Sequence, residues 1–128
     1  MKRVGRTIGQ AAESEAARFL RRKGYRILER NARSVFGELD LVAQRNGTLV
    51  FVEVKARRSS AYGGAPHAVD ARKQARLVRL AAVYLARHGL RNQSCRFDVI
   101  LCAGDGPSPK VTQHIENAFE VPGEDARW

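Results

Sequence analysis

The chain has 128 residues, two cysteines and a formal net charge of +10. That length can bury one core without disulfide or metal staples, so a single domain spanning residues 1–128 is expected. No apolar run is long enough for a membrane helix and no signal-peptide pattern opens the chain, so a membrane protein is excluded and a cytoplasmic one expected. The charge is uneven: residues 1–104 carry 21 Lys and Arg against 8 acids, and residues 105–128 carry 2 against 5. A basic body of this kind favours polyanions through phosphate contacts and counterion release, nucleic acid being the commonest. A basic domain with no such partner is the plain alternative.

Apolar residues recur at the helical period from Thr7 to Lys23 (Ile8, Ala12, Ala16, Phe19, Leu20). Thr7 is placed to cap this helix and Gly24 to end it. Tyr25 to Asn31 reads as a short strand, Ser34 to Gly37 as a turn, and two strands follow within GELDLVAQRNGTLVFVEVKAR (37–57). The next stretch, ARRSSAYGGAPHAV, is a long basic loop with Gly and Pro breakers. Asp70 is placed to cap a second helix from Ala71 to about His88, with an apolar stripe of Leu77, Leu80, Ala81, Tyr84 and Leu85 and a stop at Gly89. CRFDVILCA (95–103) is a fourth strand, in which Cys95 and Cys102 face opposite ways and cannot bridge. A last strand is expected near Lys110 to Ile115, and residues 116–128 read as a flexible acidic tail. The order is helix, three strands, helix, strand, strand, an α/β pattern that predicts a mixed sheet with helices packed on it.

The chemistry is concentrated in the hairpin. Asn46-Gly47 between two apolar runs is a type I′ turn signal, because that turn needs positive φ at both central residues. It sets Arg45 opposite Thr48 and Gln44 opposite Leu49, and the same register puts Asp40 opposite Glu53 and Glu38 opposite Lys55. Opposed side chains share a face with Cβ atoms roughly 5 Å apart. Leu39, Leu41, Val50, Val52 and Val54 then form the other, core-facing side. Two facing carboxylates repel, and burial would raise the pKa of at least one, so a positive charge is expected between them. Lys55, about 7 Å along the strand from Glu53, supplies part of this. Magnesium, which keeps several waters and takes one or two carboxylates, would supply it better. Against this stands an ordinary solvated strand face carrying Glu/Lys pairs.

With GELDLVA and FVEVKARR in this order, the sequence resembles the PD-(D/E)XK nuclease superfamily. More closely it resembles the small bacterial YraN family, through GQAAESEAARFLRRKGYRILERN, VDARKQARL, RFDVI and NAF as well. The resemblance implies a restriction-endonuclease-like fold, with a central mixed sheet in the core order helix, three-stranded meander, helix, strand, flanked by helices. It implies magnesium- or manganese-dependent phosphodiester cleavage like that of Holliday junction resolvases, with DNA as substrate. It makes Asp40 the motif aspartate, Glu53 the motif acid and Lys55 the motif lysine, and a homodimer is the form in which resolvase-like relatives act. Glu13 matches a first-helix glutamate that helps hold metal, although helical geometry alone leaves Glu13 and Glu15 equally placed at the borders of the apolar stripe.

Lys73 and Gln74 lie near the start of the second helix, where a glutamine or lysine supports the site in resolvase-like relatives. Here they either face it or form a solvated first turn. Glu38 either pairs with Lys55 or reaches the metal through water. Arg57, Arg58 and the loop after them lie where a phosphate backbone would pass. Asp98 either supports the site from behind or pairs with Arg96 or another basic group. The expected function is a metal-dependent endonuclease acting on DNA, branched DNA included. The alternatives are a nucleic-acid-binding protein on a nuclease-like fold without chemistry, and a basic module that docks on an acidic protein.

Overall fold

The computed structural model describes residues 8–57, 69–104, 107 and 109–121. Thr7, Arg58, most of the long basic loop and the last seven residues lie outside them. Five strands form one sheet in the order of the chain: β1 (Arg26–Ser34), β2 (Gly37–Arg45), β3 (Thr48–Arg57), β4 (Cys95–Ala103) and β5 (Lys110–Ile115). Neighbours are antiparallel except β3 and β4, which are parallel. Parallel strands need a crossover, and helix α2 (Ala71–Arg87) provides it, while α1 (Ile8–Arg22) precedes the sheet. The molecule is a mixed α/β fold with a mostly antiparallel sheet and two helices.

Local chemistry sets these boundaries. Gly24 ends α1 at φ 93°, with Tyr25 N–H on the Leu20 carbonyl and Gly24 N–H on that of Arg21, the paired bonds of a Schellman cap. Gly89 ends α2 in the same way at φ 65°, with Leu90 N–H on Leu85 and Gly89 N–H on Ala86. Asp70 opens α2, its carboxylate accepting from Lys73 N–H at 2.9 Å. Asn46 and Gly47 both have positive φ, as their turn requires.

Both faces of the sheet are covered. On one, Ala12, Ala16, Ala17 and Leu20 of α1 pack on Leu41, Ala43, Val50, Val52, Ile100 and Cys102. The small residues let the helix lie close to the strands. On the other, Leu77, Leu80, Ala81, Tyr84 and Leu85 of α2 cover Val42, Leu49, Phe51 and Phe97, with the Phe51 and Tyr84 rings edge to face at 5.9 Å. Central β3 is therefore buried on both sides, which is why it reads as a near-continuous apolar run. Cys95 and Cys102 fall in opposite cores, unbridged.

Two expectations need correction. Leu39 packs with the α2 core rather than with Leu41 and Val52, because the side-chain alternation of β2 breaks between Leu39 and Leu41. The neighbouring β1 is irregular here too, with Asn31 at φ 53° between the partners of Leu41 and Leu39. The segment expected to begin a loose tail at residue 116 is instead anchored through Val121. Ala118 N–H bonds the Phe97 carbonyl at 2.7 Å, the Phe119 ring stacks on Phe97 at 4.7 Å, and Val121 packs on the α2 core.

Candidate active site

The hairpin pairs Arg45 with Thr48, Gln44 with Leu49, and so on to Leu41 with Val52, the register set by Asn46-Gly47. Beyond Leu41 the main-chain ladder stops. In its place Asp40 turns a carboxylate oxygen onto the Val54 N–H at 2.8 Å. The site is thus a notch between β2 and β3, filled by the Asp40 side chain.

Glu53 lies on the α2 side of β3 and is only 8% exposed. Lys73, in the first turn of α2, reaches it at 2.8 Å. Glu13, from α1 on the other side of the sheet, is held at 2.9 Å by the Asn31 side-chain amide. Asn31 can do this because Asn tolerates the left-handed backbone that turns it out of the strand.

Asp40 registers all of these groups. Burial, then the Glu53 charge, and less strongly that of Glu13 raise its pKa to about 7, against the opposing Val54 N–H and Lys73. Burial and the neighbouring carboxylates together outweigh what the lysine and the Val54 N–H offer, which favours the protonated form of Asp40. Such oxygen donors, short of positive charge, suit a hard divalent cation that keeps water ligands. Two protein carboxylates, Asp40 and Glu53, fit that demand. Among the described residues no three His, Cys, Asp or Glu side chains are grouped as ligands, so Glu13 contributes its charge but is not drawn into one ligand cluster with Asp40 and Glu53.

The other expected residues separate. Lys55 follows Glu53 on β3, half-buried, and its ammonium has no hydrogen bond or ion pair among the described residues. Glu38 pairs across the strands with Arg33 at 3.0 Å instead of with Lys55, since Arg33 is its direct partner in β1. Gln74 turns away to the Val69 carbonyl at 3.1 Å and ties down the entry to α2. Arg57 is exposed at the end of β3; Arg58 lies outside the described residues.

Asp98 belongs to a separate network on the α1 side. It accepts from Arg96 at 2.8 and 2.9 Å, from His114 Nε2 at 2.7 Å and from Asn117 N–H at 3.0 Å. Arg96 also reaches the Tyr25 hydroxyl, and Lys23 donates to His114 Nδ1. A lysine ammonium only donates, so the ring proton is on Nε2, facing Asp98. Burial alone would raise the Asp98 pKa, but His114, Arg96 and Asn117 outweigh it and hold it low.

Three features were not read from the sequence: Asn31 bracing Glu13, Lys73 as the partner of Glu53, and a row of arginines on α2 beside the β1–β2 turn. The only sequence signals were an Asn within a strand pattern and a first helical turn carrying Arg72 and Lys73 with no acid, contrary to the helix dipole.

Comparison with known proteins places the notch within a family: Glu13, Asn31, Asp40, Glu53, Lys55 and Lys73 all fall inside the matched segment. The model of the family described as "Uncharacterised protein family UPF0102" matches residues 12–102, from α1 to β4. A UPF0102 protein of Symbiobacterium thermophilum is 50% identical over 119 residues, covering 92% of this chain and 100% of that one. One from Moorella thermoacetica is 49% identical over 78% of this chain and 83% of its own length. One from Persephonella marina is 39% identical over 88% and 93%.

Proposed function

The chain belongs to the UPF0102 family, the YraN proteins, and from the geometry of its site we propose that it is a metal-dependent endonuclease hydrolysing phosphodiester bonds of DNA on a restriction-endonuclease-like domain of the PD-(D/E)XK kind. The observation that carries this reading is the notch, where Asp40 leaves the ladder to bond the Val54 N–H and its pKa is pushed up to about 7 by burial and by the charge of buried Glu53. A solvated strand face would show none of these features.

In this reading Asp40 and Glu53 hold magnesium or manganese. The ion would supply a Lewis acid that activates water and offsets charge on the phosphate. Lys55, unpaired among the described residues, presents its ammonium to the attacking water or to a non-bridging phosphate oxygen. Lys73 holds the Glu53 carboxylate at 2.8 Å and would have to yield some of that contact to an ion. Asn31 holds the Glu13 charge at the edge of the notch. The basic body brings the polyanion near.

The Lys73–Glu53 ion pair also favours a second reading, a nucleic-acid-binding protein that performs no chemistry, since it already places one cation against the carboxylates. The test is incubation of the protein with branched, single-stranded and duplex DNA in magnesium or manganese, beside Asp40→Ala and Glu53→Ala. Cleavage by the wild type is expected, reduced at least ~100-fold in each variant, as for loss of a group that stabilises the transition state. Cleavage surviving in both variants would reject the site. Binding without cleavage on all three substrates would select the second reading.

A further inference from the structure

Beside the notch, α2 carries three arginines at helical spacing, Arg72, Arg76 and Arg79. With Ala75 and Phe36 of the β1–β2 turn they line a groove of about 290 Å³. None of the three makes an ion pair or hydrogen bond among the described residues; the Arg79 guanidinium carbon lies over the Phe36 ring, 5.2 Å from the centroid. Like charges one turn apart destabilise a helix, and cations in its first turn oppose its dipole. The free protein therefore carries an unfavourable charge arrangement that an anion in the groove would relieve.

Phe36 shows what kind of anion fits. It is 45% exposed, next to Val35 at 94%. Its turn is not slack: Ser34 Oγ accepts the Phe36 N–H at 3.1 Å and lies 3.4 Å from the Gly37 carbonyl. Arg79 steadies the ring while much of its surface stays open. Gly37, at φ 132°, allows the Arg76 guanidinium to lie over the turn, where a Cβ would stand 3.3 Å from its Nη1. An aromatic ring held open among guanidinium groups matches a polynucleotide strand, with phosphates on the arginines and a base on the ring. Paired bases inside a duplex have no free face to offer, so the strand must be unpaired where it meets Phe36.

We propose that the groove between α2 and the β1–β2 turn binds an unpaired stretch of DNA, Phe36 stacking a base while Arg72, Arg76 and Arg79 hold the phosphates. This deepens the endonuclease reading and rests on it for the expectation that DNA is the partner. Lys73 follows Arg72 directly and touches Glu53, and Asp40 is three residues beyond Gly37, so the strand leaves the groove beside the carboxylates.

The test uses fluorescence anisotropy in EDTA, so that no cleavage intervenes, with labelled oligothymidylate and with a hairpin duplex of equal phosphate number. Phe36→Ala should weaken single-strand binding by roughly tenfold, as expected for one lost stack, and duplex binding by less than about twofold. Changing Arg72 and Arg76 together to Gln should weaken both and lower the single-strand salt slope by about 0.7 per lost phosphate contact. Phe36→Trp should retain affinity, with the added indole emission quenched by oligothymidylate relative to wild type. Equal losses for strand and duplex in Phe36→Ala, an unquenched indole, or unchanged binding in the arginine variant would each overturn the proposal. Absence of cleavage in magnesium with this binding intact would remove the chemistry and leave the groove. Cleavage without Phe36 dependence would do the reverse.

Discussion

Asp40 is the residue on which the site turns, and its protonation gives a signed prediction. The fold raises its pKa from 3.8 to about 7, so between those values the folded state binds more protons than the unfolded one and stability falls as pH rises. The stabilisation from the protonated form is complete below the ordinary aspartate range and lost by the time pH passes 7. At about 1.4 kcal/mol per unit the effect is on the order of 2–4 kcal/mol. Denaturant melts in EDTA at pH 5 and pH 8 should show wild type losing this much relative to Asp40→Asn, which should be the more stable protein at pH 8. Lys73 gives a second prediction. Its ammonium competes with a divalent cation for Glu53, so Lys73→Gln should tighten manganese binding severalfold by calorimetry while costing the metal-free protein ~1–3 kcal/mol for an uncompensated buried carboxylate. Asp40, Glu53 and Lys55 could be marked in the sequence because a turn dipeptide set the hairpin register, although that register holds only as far as Leu41 and Val52 and the ladder pairs expected beyond it, Asp40 with Glu53 and Glu38 with Lys55, do not form. Lys73 could be marked only as either facing the site or solvated, and Asn31 not at all, since their roles depend on which helix covers which face and on one backbone dihedral.

At the scale of elements, the ends of both helices and the tight hairpin were legible because caps and turns are local chemistry: Gly24, Asp70, Gly89 and Asn46-Gly47 all act through their own neighbours. The faces were harder. Leu39 departs from strict alternation because the ladder gives way at Asp40, and nothing near Leu39 in the sequence signals that break. Strand β4 carries a different burden from β3. Its Asp98 joins Arg96, His114 and the chain after β5 through four hydrogen bonds, and the charge is fully enclosed. Removing one member of such a set leaves the others unpaired, so Asp98→Asn should cost about 3–5 kcal/mol in denaturant melts. It should do so without altering metal affinity at the notch. Because its folded pKa is lowered, the stability Asp98 supplies is fully present above the ordinary aspartate value. It is lost only as pH falls through the lower one, below the window of the Asp40 effect and opposite to it in sign.

For the whole molecule, the order of helices and strands followed from the sequence, since each element has its own period and punctuation. The layering did not, because covering the second face of the sheet is a property of the assembled chain. β3 could be read as half-solvated until α2 is seen lying on Phe51. The notch is reached from both layers: Glu13 comes from α1 and Lys73 from α2, and Asp40 responds to each. An ion seated there would act as a rivet through the sheet, joining two cores that are otherwise separated by it. Its binding should raise the melting temperature in proportion to the logarithm of metal concentration, as mass action requires. Amide exchange should then slow in both α1 and α2 at once. A ligand confined to either face would quiet only the helix on its own side.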